Sequence, residues 1–287
     1  MQILNILYIF LFANLIITCL PVRAQIIPDA TLNNNSKVTV IDNADIITGG
    51  TVVGGNLFHS FEQFSVPTGK AAYFNNDLSI QNIISRVTGS SISNIDGILQ
   101  ANGTSNFFLI NPNGITFGPN ASLNIEGSFL ASTANSLNFA DGSQFNATKS
   151  QPMPLLTISV PVGLQFSTNP RPIQVNGYGH SQLIFVAVGS PIYGSGQSSS
   201  GLKTSPGKTI ALVGEPVTLD GGILTAPSGR VEIGSVASGL VNLSLADTGL
   251  FLNYDNIQDF KDIYLNNQAL VDASGLINGN ISLQGKI

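Results

Sequence analysis

The sequence predicts an all-β protein, and three observations carry that expectation. Beyond the first two dozen residues, no segment keeps the 3.6-residue apolar period of an amphipathic helix. What recurs is a run of three to six residues rich in Val, Ile, Leu and Phe, closed by Asn, Gly, Asp or Ser. These runs also return at a loose spacing near 20 residues. Phe108 and Phe129, Ile210 and Val231, and Leu212 and Ile233 lie 21 apart; Ile115 and Leu137 lie 22 apart, Ile263 and Ile281 18 apart. Strand, turn, strand, turn in that length describes one coil of a parallel β-helix, whose neighbours stack about 4.8 Å apart around a shared interior. On pattern alone, a β-sandwich or an antiparallel barrel fits the same short strands.

In chain order, the first element is not part of the fold. Ile3 to Leu20 is almost unbroken apolar sequence, followed by Pro21-Val22-Arg23-Ala24-Gln25. Val22 and Ala24 satisfy the small-residue rule of a signal-peptidase site, so cleavage is expected between Ala24 and Gln25, leaving residues 25–287. The run has no Lys or Arg before it, and its length also suits a retained membrane anchor; a lipoprotein acylated at Cys19 is a further reading. Cleavage removes the only cysteine, so an exported chain without disulfides must rest on a sizeable buried core.

The expected strands then follow: Val38–Ile41, Ile46–Ile47, Ile83–Ile84, Phe107–Ile110, Ile115–Phe117, Leu123–Ile125, Leu183–Val188, Ile210–Val213, Val217–Leu219, Val231–Ile233, Val241–Leu245, Ile263–Leu265 and Ile281–Leu283. Asn and Gly suit the corners between them, because both tolerate positive φ and stacked Asn side chains can bond in ladders. A local echo supports the repeat: Leu219-Asp220 precedes Gly229–Gly234, and Val271-Asp272 precedes Gly279–Gly285. Two stretches break the rhythm. Residues 151–172 hold five prolines around Leu155–Val160, which reads as an edge hairpin outside the coil, since Pro cannot donate to a ladder. Residues 193–208 form a Gly/Ser-rich loop. Neither divides the composition, so one continuous domain is expected over 25–287.

Composition excludes several functions. Only 9% of residues are charged, against about 25% in ordinary globular proteins. The net charge is −5 with no basic run, which argues against a nucleic-acid partner. No Trp and six Tyr leave no aromatic girdle for an outer-membrane barrel, and the strands are too short to span, so the mature chain is not expected to cross a membrane. A carbohydrate-active β-helix enzyme needs clustered carboxylates facing one groove. The close acidic sets are Asp42/Asp45 and Asp255/Asp259/Asp262, and His59 and His180 stand alone. No catalytic residue, metal site or cofactor is therefore expected.

The most specific segment is Phe107-Phe-Leu-Ile-Asn-Pro-Asn-Gly-Ile-Thr-Phe-Gly118, a strand, a tight turn and a second strand. Pro112 pre-sets φ at the first turn position, and Asn113-Gly114 supplies residues that accept positive φ. This block resembles the N-terminal secretion domain (TPS or haemagglutination-activity domain) of filamentous haemagglutinin-type two-partner secretion exoproteins, where an Asn-Pro-Asn-Gly-Ile segment is a hallmark. Further stretches are similar, in matching order: Phe58–Phe64, Ile83–Gly89, Ser93–Leu99, Gly127–Thr133 and Gly229–Ser235. Together they span most of residues 30–287, with the core motifs at about 30–150 and further coils to 287.

The resemblance implies a right-handed, single-stranded parallel β-helix with an N-terminal cap. It also implies a dedicated outer-membrane β-barrel transporter as partner, which reads Asn111, Pro112, Asn113 and Gly114. A first family motif, Asn-Pro-Asn-Leu in some members, has no copy here; Tyr73–Leu78 occupies its place, making Asn75 and Asn76 weaker candidates. Arg86 matches the family's Ser-Arg-Val segment, as a transporter contact or as a corner residue bonding turn carbonyls. The expected route is unfolded passage to the periplasm, binding to the transporter in extended form by strand addition, and folding outside coil by coil. Members are mostly large adhesins of Gram-negative bacteria, with some cytolysins and contact-dependent toxins, so host or cell-surface glycans or proteins are the implied later partners. Leu283–Ile287 reads as a coil awaiting another.

Overall fold

The computed structural model describes residues 25–148, 154–180, 201–246 and 249–286. The expected signal peptide with Cys19 and Ala24, the run Leu183–Val188, and residues 193–200 of the Gly/Ser loop lie outside the described residues. All named elements within them are β-strands.

The strands stack in three parallel ladders. The long ladder runs Asn56–Gln63, Asn82–Val87, Asn106–Ile110, Phe129–Ser132, Thr209–Gly214, Arg230–Ser235 and Asn280–Gln284, every neighbour parallel. The second holds Ser93–Ile95, Ile115–Phe117, Ile173–Asn176, Val217–Asp220 and Ile263–Asn266. The third runs from Ala44–Gly49 through Ala71–Phe74 and Ile98–Ala101 to Ser122–Asn124, and a separate set continues with Leu202–Lys203, Ile223–Thr225 and Leu270–Asp272. One coil visits each ladder once: Asn106–Ile110, Ile115–Phe117, Ser122–Asn124, then back to Phe129. The fold is thus a parallel β-helix. Its first coil is capped by antiparallel strands. Ser36–Ile41 pairs with Ala44–Gly49, and both Ile27–Pro28 and Thr51–Val53 pair with Asn56–Gln63.

From Asn56–Gln63 to Arg230–Ser235 the long ladder is buried on both faces, and only its last strand, Asn280–Gln284, is exposed to half-buried. Leu57, Ile83, Phe107, Phe129, Ile210 and Val231 line the solenoid interior. Phe58, Ile84, Phe108, Leu130 and Ala211 face outward, under Leu137, Phe139, Phe145, Leu164, Phe166 and Val241. These covering residues belong to an antiparallel sheet outside the coil, ordered Gln144–Asn146, Ser136–Phe139, Pro161–Phe166, Gly239–Ala246, Gly249–Asn253. A parallel strand buried on both sides reads as a continuous apolar run rather than an alternating one, which is why Phe107–Ile110 is apolar throughout. Inside, Phe107 stacks on Phe129 (centroids 6.0 Å, 20°) and meets Phe74 edge-on at 4.7 Å. Each such pair adds about 0.5–1.5 kcal/mol beyond its burial. At the corner that opens the first three long-ladder strands, Asn side chains form the expected ladder. Asn82 Nδ2 donates to Asn56 Oδ1 (2.9 Å), and Asn106 Nδ2 donates to Asn82 Oδ1 (3.1 Å).

Several sequence expectations change. Ile210/Val231 and Leu212/Ile233 are true ladder partners. Phe108 instead faces Leu130, and Phe129 faces Phe107, so the 21-residue pairing was one residue out. Ile115 pairs with Ile173 because the antiparallel sheet is inserted between them, and Leu137 belongs to that insertion. Ile263 and Ile281 sit in different ladders. The Gly229/Gly279 half of the echo is real, since Arg230 pairs with Asn280; Leu219 pairs with Leu265, so the Asp half is not. Of the proline-rich segment, Pro161–Phe166 does lie outside the coil, as the centre of the antiparallel sheet rather than its edge, while Arg171 and Pro172 re-enter the coil at the second ladder. Pro161 opens the strand, where no donor is required, and Leu155–Val160 is irregular.

Candidate recognition site

The Asn-Pro-Asn-Gly turn joins the long and second ladders. Gly114 N donates to Asn111 O (3.2 Å), closing a β-turn with Pro112 and Asn113 at its centre. Gly114 alone of the four has positive φ (+118°), so Asn113 does not use the left-handed tolerance expected of it. Asn111 is fully buried. Its Oδ1 accepts from Asn113 N (2.9 Å), a local turn that pre-sets the backbone. Its Nδ2 donates to Ser93 Oγ (2.9 Å) and Ser91 O (3.1 Å) of the previous coil. Asn113 Nδ2 reaches the same coil at Gly89 O (2.7 Å), while Ile115 N takes Pro172 O (3.1 Å) from the next. The motif's amides are therefore consumed in holding the corner, and Pro112 is its half-buried outer surface.

Asn75 and Asn76 occupy the corner between the third and long ladders, a different edge of the solenoid. Asn76 is buried, donating to Asn102 O (3.1 Å) and accepting from Asn102 N (3.0 Å). Asn75 is exposed and accepts from Asn102 Nδ2 (3.1 Å). The two motif regions are not brought together.

Arg86 is 3% exposed on the outward face of the long ladder. Nε donates to Ser60 Oγ (2.8 Å), Nη2 to Thr31 Oγ1 (2.8 Å) and Nη1 to Asn146 O, while the guanidinium lies 4.3 Å over the Phe145 ring. Ser60 and Thr88 hydroxyls in turn donate to Asp29 Oδ2 (both 2.6 Å), and Thr31 Oγ1 to Oδ1 (2.7 Å). Burial pulls the Arg86 pKa down to about 10, against the attraction of Asp29, so it stays charged at neutral pH. Burial pushes Asp29 up, but the hydrogen bonds from Ser60, Thr88 and Thr31 outweigh it and hold the carboxyl below its usual range. Arg86 thus clips the cap, the ladder and the antiparallel sheet together. Sequence reading missed Asp29, Thr31 and Ser60 because no local motif links residues so far apart.

Of the residues weighed for catalysis, His59, Asp259 and Asp262 are engaged elsewhere. His59 points into the solenoid, 1% exposed, with Nδ1 3.0 Å from Ser36 Oγ and its ring against Phe61 and Phe74. Burial lowers its pKa to about 3, so it is neutral. Asp259 pairs with Lys261 (3.3 Å) and Lys286 (3.5 Å), and Asp262 accepts from Tyr264 (2.7 Å).

A capped parallel β-helix with an antiparallel sheet laid along one ladder and an Asn-Pro-Asn-Gly corner defines a class of secreted solenoids. The model of the TPS secretion domain matches residues 24–287, and the chain belongs to that family, as the secretion domain of a two-partner secretion exoprotein. Two solved structures match the chain, the first of them at the level of the fold. The HMW1 secretion domain from Haemophilus influenzae has a TM-score of 0.51 at 21% identity, over 82% of this chain and 50% of that one. The filamentous hemagglutinin secretion domain has a TM-score of 0.40 at 14% identity, over 91% of this chain and 99% of that one. The chain therefore spans half the length of the HMW1 secretion domain. No curated protein matches the sequence. TPS secretion domains are recognised by TpsB transporters, and the exoproteins that carry them are secreted through the outer membrane and are not known as enzymes.

Proposed function

We propose that the cognate outer-membrane transporter reads the corner formed by Asn111, Pro112, Asn113 and Gly114, and that the capped first coils then template the folding of later ones. The carrying observation is that the turn is closed by its own residues, Asn113 N on Asn111 Oδ1 (2.9 Å) and Gly114 N on Asn111 O (3.2 Å), so it can form in a chain whose coils have not yet stacked. After export, the reading is an adhesin-type exoprotein at the cell surface or in the medium, meeting host or cell-surface glycans or proteins through segments other than this corner. Stacking of successive coils supplies a forward bias for export without a nucleotide. The signal peptide, cleaved between Ala24 and Gln25, delivers the chain to the periplasm.

The test is secretion of Asn111→Ala and Asn113→Ala chains co-expressed with the cognate transporter. Both are expected to accumulate in the cell, Asn111→Ala more strongly because it also strands Ser93 and the Asn113 amide. Wild-type amounts of both in the medium would show that the corner is not read.

A further inference from the structure

The corner that opens the long-ladder strands changes character along the solenoid. In the first coils it is closed by the side-chain ladder of Asn56, Asn82 and Asn106. In the late coils the register places Thr209, Arg230 and Asn280 there instead. The turns at residues 206–208, 228–230 and 277–280 open a cleft of about 470 Å³, with Phe251 of the antiparallel sheet in its wall. That volume falls in the range of roughly 300–1,000 Å³ typical of ligand sites. The Arg230 guanidinium lies 4.6 Å over the Phe251 ring, and its Nη1 donates to Asn280 Oδ1 (2.6 Å) and Glu232 Oε1 (3.1 Å). The group is thus held in one pose, while Nε and Nη2 make no hydrogen bond among the described residues. Lys208, one coil earlier, lines the same cleft, and its ammonium makes no hydrogen bond or ion pair among the described residues. Ile277 on the rim is 69% exposed, beside the exposed Asn278 and Asn280. The main-chain amides of Gly207, Lys208, Gly229, Arg230, Ile277 and Asn280 all donate within the fold.

We propose that this cleft binds an acidic saccharide, a sugar whose ring carries a carboxylate. The inference rests on the reading that the exported chain is an adhesin-type exoprotein that meets glycans. The cleft is built from three coils, so it exists only in the folded chain and serves after export. The unbonded Nε and Nη2 of Arg230 are the two parallel donors that a carboxylate takes side by side, and Lys208 adds a second cation. Asn278 offers an amide donor and a carbonyl acceptor, and Asn280 its amide, to ring hydroxyls. Ile277 meets the apolar C–H face of the ring. An extended acidic peptide fits less well, because its recognition draws on main-chain pairing and the amides here are already spent. In a chain of net charge −5, a cleft that gathers two cations is a local reversal that selects an anionic ligand.

The experiment titrates the secreted chain by calorimetry with trigalacturonate, its methyl ester, inorganic phosphate and a short poly-glutamate. Trigalacturonate is expected to bind, and the ester, which keeps the rings but not the charge, at least about tenfold more weakly. Arg230→Lys keeps the charge without the paired donors and should weaken binding about tenfold. Lys208→Gln should weaken it about threefold and Ile277→Asp about tenfold, with melting temperatures and export equal to wild type. Lys37→Gln, on the exposed cap strand, serves as control and should bind as wild type does. Equal binding of the ester overturns the inference, as does phosphate or poly-glutamate bound as tightly as trigalacturonate. A loss of binding matched by a loss of melting temperature in Lys208→Gln and Ile277→Asp also overturns it. Wild-type affinity in all three cleft variants overturns the cleft and leaves the adhesin reading standing, with the glycan bound elsewhere. A wild type that binds none of the probes overturns the inference too, and adherence of the secreted chain to cells then decides the adhesin reading by itself.

Discussion

Two buried charged residues share the outward face of the long ladder, one near each end, and they are treated differently. Arg86, near the cap, has Nε, Nη1 and Nη2 all bonded, an aromatic ring beneath it and a hydroxyl relay to Asp29. Glu232, four strands further along, is 2% exposed; its Oε1 accepts from Arg230 (3.1 Å), and its Oε2 has no hydrogen-bond partner among the described residues. The Tyr254 hydroxyl, whose ring packs over Gly234, is buried and equally unpartnered. A fully satisfied buried charge specifies one arrangement of the elements that bond it, whereas a half-satisfied one costs stability. The cap end is therefore fixed electrostatically, and the later coils are held by apolar stacking.

The largest expected effect breaks the cap end of that comparison. Arg86→Ala leaves Asp29 without its counter-charge and empties the space over Phe145. Removing one partner of a buried ionic network costs about 3–5 kcal/mol. Urea denaturation should show this loss with an unchanged slope. Arg86→Lys should recover only part of it, because one ammonium cannot reach Ser60, Thr31 and Asn146 at once. A loss under 1 kcal/mol for Arg86→Ala would mean that the cap is held by packing alone.

His59 sharpens the contrast from the inner face of the same ladder. Its folded-state pKa of about 3 lies below the ordinary 6.5, so between those values the unfolded chain binds the extra proton. Stability is complete above about pH 6.5 and falls with acidification by up to about 1.4 kcal/mol per pH unit, until the folded state also protonates. Asp29 adds a second loss below its ordinary value, as its lowered pKa is reached. Melting temperatures between pH 7 and pH 4 should fall for the wild type and be markedly flatter for His59→Gln. Parallel slopes for the two would exclude His59 as the source.

How much of this was legible follows from the same two faces. The Asn-Pro-Asn-Gly turn was readable because Asn111 bonds its own neighbour two residues on, so all its local information is contiguous. The repeat was readable at Ile210/Val231, where one coil follows the next directly. It failed where the antiparallel sheet intervenes: Ser132 Oγ bonds Val213 O across 81 residues, and no period survives such an insertion. It also slipped by one at Phe108, because a strand buried on both faces has no alternation to fix its register. Arg86 was visible only as a family match, since its partners come from residues 31, 60 and 146 and bond through tertiary contacts.

The smallest effect tests the far end. Burial raises the Glu232 pKa above its ordinary value, with Ser282 and Arg230 only partly offsetting it. The folded chain then holds a proton that the unfolded chain has already lost, so stability declines as pH rises through that window, and the penalty is fully present above the folded-state value. Glu232→Gln keeps a carbonyl oxygen for Arg230 and removes the partly compensated charge beneath Tyr254. At pH 8 it should therefore be neutral or stabilising by less than about 1 kcal/mol, where Arg86→Ala costs several. The pH dependence above the ordinary glutamate range should flatten with it. A clear destabilisation by Glu232→Gln would show that the Arg230 pair holds the later coils as Arg86 holds the cap, and the two ends would then be alike.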